Sequence, residues 1–109
     1  MVGGEHLDKE FEVFTSMQYG CRAALKLLRK YIKDGCNTPR KIIQRWAPPV
    51  ENNTTAYLNM VCYWANLESY TVINHEDREK LCKLAAAMAR YENGVVVRLS
   101  YFYNAWELL

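Results

Sequence analysis

The spacing of apolar residues most restricts the folds open to this chain. Phe14, Met17, Cys21, Leu25, Leu28 and Ile32 recur at intervals of three and four, which stacks their side chains on one face of an α-helix. Arg22, Lys26, Arg29, Lys30 and Lys33 fall on the opposite face. Thr15-Ser16 can cap a first turn and Asp34-Gly35 can end the helix, so a first helix is expected over about 16 to 34.

The same reasoning sets out the rest of the chain. Thr38 can cap orphan amides and Pro39 suits a first helical turn, so a short helix is expected over about 39 to 46, stopped by Pro48 and Pro49. A third helix is expected over about 54 to 66, burying Tyr57, Leu58, Val61, Cys62 and Ala65. Asn74 is the expected cap of a fourth, about 75 to 92, which buries Leu81, Leu84, Ala85 and Met88 and ends at Gly94 in a left-handed cap. Val95-Val96-Val97 is too short to argue for a sheet. Leu99, Phe102, Tyr103, Trp106 and Leu109 make a final amphipathic helix, about 98 to 109, expected to dock on the core. The fold class is all-α, a compact bundle of about five helices, with residues 1–109 expected to form a single domain.

Composition agrees and removes several function classes. Half of the 109 residues are apolar, and five glycines and three prolines are too few for a collagen-like or linker chain. With no run of 18 apolar residues and no secretory signal at Met1-Val2-Gly3-Gly4, no membrane partner is expected, and synthesis is expected in the cytoplasm. Cys21, Cys36, Cys62 and Cys82 form no metal-type pair, and only His6 and His75 accompany them. Neither a metal site nor a cofactor is therefore expected, and Cys21, Cys62 and Cys82 read as reduced core thiols. No Ser-His-Asp pattern or phosphate-binding glycine loop occurs, and His75 is expected in the first turn of the fourth helix.

The small net charge of +2 conceals an acidic start and a basic middle. Glu5, Asp8, Glu10 and Glu12 face only Lys9 in the first twelve residues. A basic patch of Arg22, Lys26, Arg29, Lys30, Arg40, Lys41 and Arg45, with Lys33, then faces only Asp34. Such a patch attracts polyanions over roughly 8 Å of Debye length, unless it is simply a solvated helix face.

The stretch from Asn37 to Tyr57 is richer in special residues than a helix connection requires. Trp46 beside Pro48 and Pro49 makes a rigid aromatic corner, and Glu51, Asn52, Asn53 and Thr54 set polar groups at a helix start. This arrangement suits either a ligand cleft or a self-satisfied turn.

Residues 11–94 resemble, in order, a family of phage and prophage proteins labelled virion structural proteins. The resemblance runs through Phe11-Glu12-Val13-Phe14-Thr15-Ser16, Gly20-Cys21-Arg22-Ala23-Ala24, the block from Thr38 to Tyr57 and the stretch from Leu84-Ala85 to Glu92-Asn93-Gly94. Its most specific part is Trp-Ala-Pro-Pro-x-Glu-Asn-x-Thr-x-x-Tyr, here Trp46 to Tyr57. The resemblance implies a small helical domain from a phage or phage-derived element, related to lysozyme-like cell-wall enzymes. Longer members carry an Asn-Pro-Gly-Asn segment before the Phe-x-x-Phe stretch, and Met1-Val2-Gly3-Gly4 begins after that point. Whatever that segment supplies is expected to be missing here, which weakens an enzyme reading.

Three readings follow. In the first, a virion structural or accessory protein binds a virion or host protein, or a cell-wall glycan, through Trp46, Pro48, Pro49, Asn52, Asn53, Thr54 and Tyr57. In the second, a muramidase-like or transglycosylase-like peptidoglycan hydrolase uses Glu51, Glu92 or both as catalytic carboxylates, a pair needing to lie roughly 5 to 10 Å apart. In the third, the basic patch binds nucleic acid. The sequence leaves oligomeric state open.

Overall fold

The structure, a computed structural model, describes residues 2–46 and 54–109, with side chains from Met17 onward. Five α-helices follow in chain order: α1 (Val2–Lys33), α2 (Pro39–Trp46), α3 (Thr54–Ala65), α4 (Arg78–Asn93) and α5 (Leu99–Trp106). No strand occurs among the described residues, so the all-helical class holds.

α1 departs from expectation by starting at Val2 rather than near residue 16. Leu7, Phe11 and Phe14 carry the three-and-four spacing upstream. Thr15 and Ser16 therefore lie within the helix rather than at its start. Its C-terminus closes as expected: Gly35 takes φ 101, Cys36 N–H donates to the Tyr31 carbonyl at 2.8 Å, and Gly35 N–H donates to that of Ile32 at 3.1 Å. These are the paired bonds of a Schellman cap.

α2 occupies its expected span, with Thr38 Oγ1 accepting from the Lys41 amide at 3.2 Å. α3 ends at Ala65, and the next residue, Asn66, has a φ of 56 that lets Leu67 N–H reach back to the Cys62 carbonyl at 3.0 Å. The loop that follows is tied to the start of α2, since Arg40 N–H donates to Ser69 O and Ile73 N–H to Asn37 O.

The expected cap of α4 is corrected. Asn74 Oδ1 accepts from the Glu76 amide at 2.8 Å, closing a turn of its own, and Asp77 caps the helix by accepting from Lys80 N–H at 3.1 Å. His75 thus precedes α4 instead of lying in its first turn. Gly94 provides the left-handed C-cap at φ 69. α5 is shorter than the stretch marked out for it, because Leu108 and Leu109 donate to carbonyls three residues back in tighter turns.

α1 packs on α5 and α4, and α3 packs on α4 and α2. Their shared core includes Leu25, Leu28, Ile42, Ile43, Val61, Leu81, Leu84 and Phe102, with Cys21 and Cys82 buried among them. All four cysteines are free, Cys36 and Cys62 being half-buried. The molecule measures 50 × 29 × 22 Å, and its long axis matches a helix of 32 residues at about 1.5 Å each.

Candidate functional site

The ends of three helices meet at Glu92. α2 finishes at Trp46, α3 places Tyr57 on its first turn, and α4 carries Glu92 on its last. One carboxylate oxygen, Oε1, accepts from Trp46 Nε1 at 3.0 Å and from the Tyr57 hydroxyl at 3.0 Å. The Tyr57 ring stacks on Tyr91, centroids 4.0 Å apart and planes 29° from parallel. Three residues far apart in sequence are thereby fixed, while the second oxygen of Glu92 has neither of these donors.

Burial differs sharply within the trio. Tyr57 is 3% exposed and Trp46 40% exposed. Burial pushes the Tyr57 hydroxyl above its ordinary value, and the adjacent Glu92 carboxylate pushes it further in the same direction. Tyr57 is therefore a proton-bearing donor at neutral pH, a positioning group rather than a base.

Trp46, Glu92 and Asn93 edge an apolar cleft of about 230 Å³ between α1 and α4. Its walls include Ala24, Leu27 and Leu28 from α1 and Ala85, Met88 and Ala89 from α4. A concave apolar surface with a few fixed polar groups at its edge accepts an aliphatic or aromatic group and reads a hydrogen-bond donor beside it. Small side chains at Ala24 and Ala89 leave this space open.

The structure unites Trp46, Tyr57 and Glu92 from the expected set. Thr54 is half-buried at the start of α3, while Pro48, Pro49, Glu51, Asn52 and Asn53 lie outside the described residues. The proposed pairing of Glu51 with Glu92 falls outside them with Glu51. Sequence reasoning missed Tyr91, whose signal was its place beside Glu92, and the cleft-forming alanines, which read as ordinary helix formers.

The basic patch is largely engaged within the fold. Arg22 Nε donates to the Leu108 carbonyl at 3.2 Å, Arg29 lies over the Trp106 ring at 5.4 Å, and Arg45 lies over Tyr31 at 4.2 Å. Asp34 binds Arg45 at 3.2 Å and Lys30 at 3.5 Å, and Arg45 and Lys30 hold its carboxyl below the usual range. Arg29 Nε is buried with no hydrogen-bond partner among the described residues. Lys26, Arg40 and Lys41 remain exposed, but on two different helices.

No helix among the described residues is long and apolar enough to cross a membrane. No family model matches the chain, and no solved structure matches it. The chain is 37% identical over 95 residues to Protein P5 of Pseudoalteromonas phage PM2, an alignment covering 84% of this chain and 58% of that protein. It therefore spans just over half the length of this phage relative.

Proposed function

We propose that this chain is a phage-derived virion structural or accessory protein that receives a partner protein at the corner between Trp46 and Tyr57. Similarity to a phage protein supports the phage assignment. The observation that carries the binding role is the convergence of Trp46 and Tyr57 on one oxygen of Glu92, at the mouth of an apolar cleft. The cleft takes an apolar side chain of the partner, and the second carboxylate oxygen takes a donor beside it. These are recognition groups held in place before binding, which lowers the ordering cost of association.

The test is incorporation into particles. In a phage or prophage host producing the chain, density-gradient-purified virions are expected to contain it, and Ala24→Leu, which fills the cleft, is expected to deplete it several-fold. Ala89→Leu fills the same space from α4 and serves as the second variant. Thermal melts of both purified variants establish that the bundle is intact. Virions lacking the wild-type chain, or cleft-filled variants incorporated at the wild-type level, overturn the proposal. Cleavage of purified peptidoglycan that is lost in Glu92→Gln would replace it with the hydrolase reading.

A further inference from the structure

We propose that two copies of this chain pair antiparallel through the outward face of α1. The inward stripe of this helix, Cys21, Leu25, Leu28 and Ile32, belongs to the core. The opposite stripe is open: Tyr19 is 63% exposed, and Ala23, Lys26, Lys30 and Lys33 are exposed after it. A Cβ built on neighbouring Gly20 would meet no atom within 4 Å.

α1 is continuous back to Val2, so the register of this stripe extends through positions 15, 12, 8 and 5. At about 100° per residue, all these positions lie within about 40° of Tyr19 around the helix axis. Their charges reverse about that centre. Lys26, Lys30 and Lys33 follow Tyr19 at 7, 11 and 14 residues, and Glu12, Asp8 and Glu5 precede it at the same intervals. Thr15 and Ala23 fill the remaining symmetric pair, four residues on either side.

This pattern is self-complementary under one operation. Two such helices crossing antiparallel at Tyr19 bring Glu12 opposite Lys26, Asp8 opposite Lys30 and Glu5 opposite Lys33, each twice across the two-fold axis. A parallel pair would set acid against acid and base against base, so charge selects the orientation. The outermost pair lies about 21 Å from the crossing point. The drift of about 20° per heptad is what a gently crossed helix pair absorbs. Lys30 also contacts its own Asp34 at 3.5 Å, and its side chain stays 67% exposed. Exposed ion pairs are individually weak, so this association is concentration-dependent and salt-sensitive. Tyr19 and Ala23 supply the contact at its centre.

Sedimentation equilibrium at low ionic strength tests this directly. The wild-type mass is expected to rise with concentration from 12.7 kDa toward twice that value, and salt raised from about 20 to about 500 mM is expected to weaken association about tenfold or more. Glu12→Lys and Lys26→Glu are each expected to hold the chain as a monomer, and the two together in one chain to restore the dimer. Circular dichroism verifies that each variant retains its helices, and the salt series on the wild type tests the charge pattern without substitution. A monomer throughout the concentration range, association indifferent to salt, single reversals that still dimerise, or a double reversal that does not, each overturns the proposal.

Discussion

Glu92 shows how little a residue's own chemistry says about its role. It is a carboxylate on the last turn of a helix, where the dipole does not favour it, yet Trp46 and Tyr57 both donate to it. The buried thiols make the complementary point. Burial pushes Cys21 and Cys82 up from 9.0 to about 11, so between those values the unfolded chain gives up these protons before the folded one does. Stability contributed by the neutral thiols is therefore complete below pH 9 and is lost as pH rises toward 11. Thermal melts from pH 8 to 11 are expected to show that decline, with Cys82→Ala lowering overall stability but making its alkaline fall shallower. A thiol-reactive dye at pH 8 is expected to label half-buried Cys36 and Cys62 before Cys21 and Cys82, which react once denaturant opens the core.

At the scale of elements, local signals decide whether a helix forms, and neighbouring groups decide where it starts. Thr38 and Pro39 mark the start of α2 because the capping oxygen and the ring that tolerates a missing N–H are adjacent. Asn74 and Asp77 are both good caps, three residues apart. The first is consumed by Glu76 N–H in a turn, while its neighbour Ile73 is bonded to Asn37. Asp77→Ala is accordingly expected to lower stability by about 1 kcal/mol in urea unfolding, and Asn74→Ala by less. α1 illustrates the opposite error, since Thr15 and Ser16 looked like a beginning although the apolar spacing continued upstream of them. Cap residues compete with periodicity, and here periodicity won over nine turns of helix.

Across the whole molecule, four of the helix seams are closed by an arginine laid on an aromatic ring. Arg29 on Trp106 joins α1 to α5, Arg78 on Tyr103 joins α4 to α5, Arg90 on Trp64 joins α4 to α3, and Tyr31 on α1 receives Arg45 of α2. These contacts draw much of the basic surface into the fold. Phe102, 2% exposed, lies in the core where α5 meets α1 and α4. Phe102→Ala is expected to cost about 3 to 5 kcal/mol and to lower one cooperative transition measured by circular dichroism, because no helix here buries its apolar face alone. The all-helical class, the α2 boundaries and the Gly94 stop were legible from residues because periodicity, proline and left-handed glycine act within a few positions of chain. Trp46, Tyr57 and Glu92 could also be singled out from the chain, but their meeting on one carboxylate oxygen could not. That geometry, the cleft left open by Ala24 and Ala89, and the engagement of the basic patch depend on where α1, α2, α3 and α4 come to rest against one another. Long-range packing alone decides such distances.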